Sequence, residues 1–453
     1  MRTDETPGEA KPDDVPSKSS LSVPGSGRRT GQEKPVLKHH SLIDKVYNWQ
    51  NLWTAWRRVR RNKGAHGLDR VTIQAFETNA EMHLRELQRL LMQKRYRPHP
   101  VRRVYIPKAS DPKQRRPLGI PTVLDRVCQQ AVYQVLYPIF AAGFSARSYG
   151  FMVGRSAHQA VATVLQDGKE GYKSVVDADI ASFFDRLDHE VVMSHVRRRV
   201  ADGRVLDLIE AFLQAGVMED GIVSVPNEGS PQGGVISPLL ANIVLDAFDK
   251  AIEARGWRHV RYADDFVILT QTPQEAAEAL QYAQSVLQEL KLEVHQTKTR
   301  VTTLFNGFEF LGFHFRRHTL GPRQRSIDKF KTDVRRLTRR QQGINIEAVI
   351  RKLNPSIRGW SRYFGAGEVQ RTFTGLDGWV RMRVRAYRWK RRNHNDNWRF
   401  PTEMLTDWGL LSLLQCRPEL RFSPRRPKTR RAGQKPPVKG QPNGVAQCGN
   451  SAR

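Results

Sequence analysis

Two short acidic runs in this 453-residue chain have the residue types and spacing to hold a hard cation. The first is Val175-Val-Asp177-Ala-Asp179-Ile-Ala-Ser-Phe-Phe184-Asp185, and the second is Arg261-Tyr262-Ala-Asp264-Asp265-Phe266-Val-Ile-Leu269. Each is flanked by apolar, strand-like sequence. Carboxylates gathered on rigid backbone suit magnesium, which takes oxygen ligands, usually one or two protein carboxylates plus substrate phosphate. Two such ions about 4 Å apart stabilise both the attacking and the leaving oxygen of an in-line phosphoryl displacement. Tyr-x-Asp-Asp by itself also describes an exposed acidic turn, and composition alone yields it in roughly one such chain in thirty.

Positioning those groups requires strands. Lys173-Ser-Val-Val-Asp-Ala178 and Phe266-Val-Ile-Leu-Thr270 read as two of them. With a further strand over Arg258 to Arg261, Tyr262 to Asp265 becomes a hairpin tip, where side chains project together. Leu52…Trp56…Val59, Leu84…Leu87…Leu91 and Ala276 to Leu290 carry helical periods, so the body is α+β. Residues 1 to about 40 and the stretch beyond about Pro418 are rich in Pro, charge and small residues, and disorder is expected in both. Asp4, Glu5, Glu9, Asp13 and Asp14 argue against an organelle transit peptide.

Composition narrows the partners. No run of about 18 apolar residues exists, so no membrane span is expected. Cys128, Cys416 and Cys448 stand far apart, which excludes a disulfide scaffold and a cysteine-rich zinc module. The chain carries 75 Lys+Arg against 45 Asp+Glu, a balance of +30 that points to a polyanion. The excess is uneven. Residues 316 to 453 hold 33 basic and 9 acidic residues, an excess of 24, leaving only 6 for the first 315. The densest patch, Arg381 to Arg392, interleaves Tyr387 and Trp389 among seven basic residues. Such a surface meets phosphates and stacks on bases, although a solvated face with two buried aromatics has the same composition.

Asp179 with an aromatic five positions on, then Gly229-Ser-Pro-Gln-Gly-Gly-Val-Ile-Ser-Pro-Leu-Leu-Ala-Asn242, then Tyr262-Ala-Asp-Asp265, resembles the ordered palm motifs of reverse transcriptases. Within that superfamily the likeness is to group II intron-encoded reverse transcriptase/maturases, over roughly residues 41 to 415. Asn62 to Asp69, Tyr105 to Lys108, Arg116 to Arg126, Ser148 to Phe151 and Gly154 to Ala160 resemble their N-terminal and finger motifs. Leu292 to Lys298 and Gly307-Phe-Glu-Phe-Leu-Gly-Phe313 follow the palm, and Leu353-Asn-Pro-Ser-Ile-Arg-Gly-Trp-Ser-Arg-Tyr-Phe364 resembles the maturase thumb. One departure is Phe151-Met-Val-Gly154, where relatives commonly have Arg-Pro between Phe and Gly.

The resemblance implies a right-hand polymerase: helical fingers, a ferredoxin-like antiparallel palm and an α-helical thumb. The expected order is a disordered extension over 1–40, fingers over 41–168, palm over 169–315, thumb over 316–410 and a basic tail over 411–453, with no endonuclease domain. By resemblance, Asp179 and Asp264 hold two magnesium ions, or manganese in their place, with Asp265 in support. Asp177 and Asp185 receive no metal role. Lys108, Arg116, Phe184, Gln232 and Tyr262 are expected at the incoming nucleotide, where Phe184 would clash with a 2′-hydroxyl. Lys298 matches a motif whose lysine protonates the pyrophosphate leaving group. Arg381, Arg383, Arg385, Arg388 and Arg391 are expected to bind nucleic acid. By period alone Arg381 to Arg385 reads as a strand, whereas the family requires a helix there.

The implied function is RNA-directed DNA synthesis together with assistance to splicing. The expected partners are the parent group II intron RNA, an RNA template–DNA primer, dNTPs and target DNA, in the bacterial cytoplasm near the nucleoid. The rival readings are a reverse transcriptase of another lineage, such as a retron, diversity-generating or CRISPR-associated enzyme, and a non-catalytic RNA-binding splicing factor. An RNA-templated RNA polymerase is disfavoured by Phe184 and Tyr262.

Overall fold

A computed structural model of the chain describes residues 38–107, 115–219, 222–224, 229, 233–317, 319–389 and 400–418. Four helices come first: α1 (Ile43–Tyr47), α2 (Trp49–Asn62), α3 (Ile73–Thr78) and α4 (Ala80–Met92). Asn48 caps α2 by accepting from Gln50 N at 3.0 Å, and Leu52, Ala55, Trp56 and Val59 form its buried stripe. Strands β1 (Val101–Pro107) and β2 (Arg115–Ile120) then pair as an antiparallel hairpin. The long helix α5 (Val123–Ala141) runs through the core, and α6 (Ala157–Lys169) starts at a capping box formed by Ser156 and Gln159.

The palm begins at β3 (Ser174–Asp179). A 3-10 turn at Phe183–Asp185 leads to α7 (His189–Arg197), α8 (Gly203–Leu213), the short strands β4 (Val217–Glu219) and β5 (Ile222–Ser224), and α9 (Ser237–Ala254). The chain returns through the hairpin β6 (Arg258–Tyr262) and β7 (Asp265–Thr270), then α10 (Pro273–Glu289) and β8 (Arg300–Thr303). The sheet order is β6-β7-β3-β8, all antiparallel. A βαββαβ path with the first strand between the third and fourth is the ferredoxin-like arrangement. Strands β4 and β5 join β1 and β2 in a separate four-stranded sheet instead.

Strand alternation divides the palm sheet between two cores. Val176 and Ala178 of β3 and Phe266 and Ile268 of β7 enter the core shared with the fingers and with α7 to α10. Val175, Val260, Val267 and Leu269 enter the other core, shared with the C-terminal third. Side chains two residues apart face the same way, so Asp177 and Asp179 project on the Val175 side. Asp265 likewise projects on the Val267 and Leu269 side.

The C-terminal third starts with a small sheet of β9 (Phe308–Phe310), β10 (Phe313–Arg316) and β11 (Thr319–Pro322). It continues through α11 (Gln324–Leu337), α12 (Ile346–Phe364), α13 (Gln370–Trp389) and α14 (Thr402–Asp407). Aromatic contacts fasten sheet to helices. Phe313 meets Tyr363 and Phe364 at 5.3 and 5.0 Å, and Trp360 meets Phe330 and Phe373 at 4.9 and 5.4 Å. Such pairs add about 0.5–1.5 kcal/mol beyond area burial. The Arg381–Arg385 stretch is helical. Phe373, Leu376, Val380, Val384 and Tyr387 fall at helical spacing and are all buried, and that longer stripe overrides the local alternation. Among the described residues, no helix is long and apolar enough to cross a membrane.

Candidate active site

Asp179 ends β3 and stands opposite Asp265, the first residue of β7, in the antiparallel register. Directly opposed Cβ atoms lie roughly 4.5–5.5 Å apart, so the two carboxylates share one small volume. Asp264 occupies the turn between β6 and β7, and its carbonyl accepts from Ile180 N at 3.1 Å. Tyr149 N donates to Arg261 O at 2.8 Å, and Arg261 N to Arg147 O at 3.0 Å, which pins the segment leading into the turn. Gly150 faces the turn so closely that a Cβ there would stand 2.2 Å from Ala263 N.

Under the turn lies a buried polar group. Arg261 donates from Nε and Nη2 to the two oxygens of Asp249 on α9, at 2.7 and 2.6 Å. Its Nη1 donates to Asn242 Oδ1 at 3.1 Å and Ala263 O at 3.0 Å. His259 Nε2 lies 3.2 Å from Asp249 Oδ1. Burial pushes the Asp249 carboxyl up, but the Arg261 guanidinium and then His259 outweigh it and hold it well below the carboxylate range. A buried pair of this kind contributes little net stability, but removing one partner costs about 3–5 kcal/mol because the other is stranded.

The carboxylates above are short of cations. Burial raises Asp264, and the Asp179 charge adds to it, against Arg116 and Lys298. Burial raises Asp265 well above the carboxylate range, with Asp177, Asp179 and Asp264 adding and Arg323 opposing. Burial also pushes Asp177 up to about 6, although Arg300 Nη2 approaches its Oδ2 to 3.0 Å. Lys298 Nζ donates to Asp179 Oδ2. It is brought there because His295 N donates to Asp179 O at 2.7 Å and Lys298 N to His295 O at 3.1 Å. Desolvated, mutually repelling carboxylates fit a small hard divalent cation. Among the described residues no three His, Cys, Asp or Glu side chains form a metal cage. Magnesium needs none, since it keeps waters and substrate phosphates for most of its shell.

These groups line a cleft of about 1220 Å³. Asp177, Asp179, Asp264, Asp265 and Lys298 form one wall, and Arg116 on β2 stands at the edge with Ile106 and Pro107. The C-terminal third also lines the cleft, with Arg323, Arg325 and Lys329 at its start and Gly359, Trp360 and Tyr363 on α12. Neither Arg323 nor Arg300 is singled out by its sequence surroundings. Arg261 and its partners leave a faint trace: polar Asn242 and Asp249 seven apart on an apolar helix, and polar His259 and Arg261 two apart on a strand.

Phe183 is buried, and Phe184 beside it is half-buried, meeting Phe151 edge-on at 6.4 Å. Tyr262 is half-buried and pairs with Asp265 at the hairpin end. Lys108, Gln232 and Arg391 lie outside the described residues. Gly229 and Gly233, around Gln232, hold φ of +94 and +124, and a Cβ on either would strike backbone oxygen, of Asp185 and Gly119. On α13, Arg388 is exposed and Arg381 half-buried. Arg383 turns inward and donates from Nε and Nη2 to Thr338 Oγ1, at 3.1 and 3.0 Å, while Arg385 Nε donates to Phe400 O at 2.7 Å. Two of the five thumb arginines are thus engaged in holding the fold.

Comparison with known proteins adds four findings. The family model for reverse transcriptase (RNA-dependent DNA polymerase) matches residues 106–315, and that for the group II intron maturase-specific domain matches residues 327–403. The chain is 34% identical over 319 residues to Protein YkfC of Escherichia coli, a match covering 61% of this chain and 83% of that one. It is 36% identical over 202 residues to the group II intron-encoded protein LtrA of Lactococcus lactis, covering 44% of this chain but only 33% of LtrA.

Proposed function

This chain belongs to the group II intron-encoded reverse transcriptase/maturases, and from that premise we propose that it extends a DNA primer along an RNA template at Asp179, Asp264 and Asp265. The observation that carries the reading is the pairing of Asp179 with Asp265, beside the Asp264 turn, in the lining of a cleft of about 1220 Å³. Asp179 and Asp264 are our candidates to hold two magnesium ions, with Asp265 supporting them. The ions, when bound, would activate the primer 3′-oxygen and neutralise charge on the leaving oxygen.

The remaining roles follow from this chain's own groups. Arg116 carries a charge felt by Asp264 and is suited to grip triphosphate oxygens at the cleft edge. Phe184, packed against buried Phe183, is our candidate for the side chain that a 2′-hydroxyl would meet. Lys298, held on Asp179, is our candidate for the acid that protonates the departing pyrophosphate. The maturase-specific segment makes intron RNA a partner, and exposed Arg388 with Arg381 supplies phosphate contacts. In this reading the splicing chemistry belongs to the RNA, while the protein clamps its folded state and later copies it into cDNA at the target DNA. Lys108 and Gln232 keep their expected nucleotide contacts as proposals.

Primer extension tests the reading. Wild-type protein with an RNA template, DNA primer, dNTPs and magnesium should yield cDNA, and Asp264→Ala should abolish synthesis while retaining intron RNA binding. Absence of cDNA from the wild type would reduce the chain to an RNA-binding splicing factor.

A further inference from the structure

One residue of the Tyr262–Asp265 turn is ill suited to its backbone conformation. Ala263 sits at φ +60, the left-handed region in which a Cβ crowds the following carbonyl and glycine or asparagine is usual. Besides the Tyr262–Asp265 strand pairing and the Ile180 N bond to Asp264 O, support comes from below, through one guanidinium. Arg261 uses Nε and Nη2 to grip both oxygens of Asp249, and Nη1 to hold Asn242 Oδ1 and Ala263 O. Asn242 Nδ2 in turn donates to Gly150 O at 3.0 Å, and Gly150 is the residue that abuts the turn from the other side. Arg261, Asp249 and Asn242 are all buried. One connected group therefore touches the turn's carbonyl and also fixes the backbone facing it.

We propose that Arg261, Asp249 and Asn242 are a positioning unit that aims the Asp264 carboxylate, and that the unit governs metal affinity and the rate of nucleotide addition rather than grip on primer–template. The inference rests on the reading of Asp264 as a metal-binding carboxylate. Its chemical basis is the guanidinium fork. Arginine offers five N–H donors in a fixed plane, and four of them are committed here, whereas a lysine ammonium is a compact point charge that cannot reproduce the two-oxygen grip and still reach the carbonyl. None of the three side chains lines the cleft, so they act through Ala263 and not on substrate. If they merely fastened α9 to β6, their loss would lower stability and leave the metal site of the folded protein unchanged.

Arg261→Lys separates the two cases. Manganese binding to the protein–primer–template complex is followed by loss of the free-ion EPR signal, alongside the single-nucleotide addition rate, the primer–template Kd and a thermal melt. The expected result is an unchanged Kd, weaker manganese binding and a slower rate, each by roughly 10–100-fold, as for other groups that orient a metal ligand. If Arg261→Lys does not give a cooperative melt, Asn242→Ala replaces it. That change keeps the ion pair intact and should shift the same two quantities by a smaller factor. Wild-type manganese affinity and rate in the folded variant overturn the positioning role. A wild-type enzyme without activity or manganese binding would instead overturn the reading of Asp264 itself.

Discussion

Gly150→Ala perturbs the catalytic turn without touching a carboxylate. The new Cβ would stand 2.2 Å from Ala263 N, 2.8 Å from the Tyr262 carbonyl carbon and 3.0 Å from Ala263 Cα. Comfortable separations of heavy atoms begin at about 3.5 Å, so the turn must retreat by roughly 1 Å. Every atom struck is backbone, so no side chain can swing aside. Gly150 cannot yield easily either, because its carbonyl is held by Asn242 and its neighbour Tyr149 donates to Arg261 O. Overpacking of this kind costs about 1–3 kcal/mol of stability. The larger effect falls on Asp264, since a 1 Å misplacement of a reacting group can cost roughly 100-fold in rate. Single-nucleotide addition at saturating dNTP should therefore slow by about two orders of magnitude while the protein stays folded by thermal melt. Gly375→Ala is the control. That glycine is exposed on α13 with open space around its Cβ, so the change should leave the rate alone and add about 0.5–1 kcal/mol of stability. A folded Gly150→Ala protein with the wild-type rate would refute the claim that this contact holds the turn.

Three further outcomes concern the thumb arginines and a buried cap. Arg381→Gln and Arg388→Gln should each weaken intron RNA binding and flatten the log Kd against log salt plot by about one unit. Arg383→Gln should instead lower the melting temperature, because it gives up three hydrogen bonds to Thr338, with little change in slope. Asp202 accepts from Leu42, Ile43, Arg204 and Val205 N. Burial pulls its carboxyl up, but those four donors outweigh it and hold it below the usual range. A depressed folded pKa adds stability above the unfolded value and loses it as pH falls through the folded one. Asp202→Ala should thus cost about 1–3 kcal/mol in denaturant titrations at pH 7. The gap to wild type should close below roughly pH 4.

The palm strands were legible because burial on both faces writes an apolar run, and Val175-Val176 and Phe266 to Leu269 have no other good reading. The hairpin was legible for a related reason: two apolar segments around four residues leave little choice of geometry. The helical thumb was harder. Arg381, Arg383 and Arg385 alternate like a strand, and only the stripe from Phe373 to Tyr387 reveals the true period. Contacts across long sequence separation left the least trace. Lys298 reaches Asp179 because His295 bonds to β3 from 116 residues away, and nothing local to either residue records that. Arg261 reads as one more basic residue until its inward register on β6 is known.

The placement of charge explains why the opposing requirements of this site coexist. A cation site needs carboxylates that repel one another, and opposed charges about 5 Å apart at an effective dielectric of 20 cost roughly 3 kcal/mol per pair. Something must hold them against that force without neutralising them. Arg261 and Asp249 suit the task because their charges cancel locally, so they stiffen the turn while adding little field at Asp264. The C-terminal third adds Arg323, Arg325 and Lys329 to the cleft lining, and Arg323 is near enough to Asp265 to oppose the rise of its carboxyl. With a screening length near 10 Å at 0.1 M salt, those side chains draw phosphates into the cleft. Lys298, whose ammonium sits directly on Asp179, would have to shift when a metal enters. Losses on the thumb should therefore register in the salt dependence of binding, and losses around Arg261 in the rate and metal affinity of the bound enzyme.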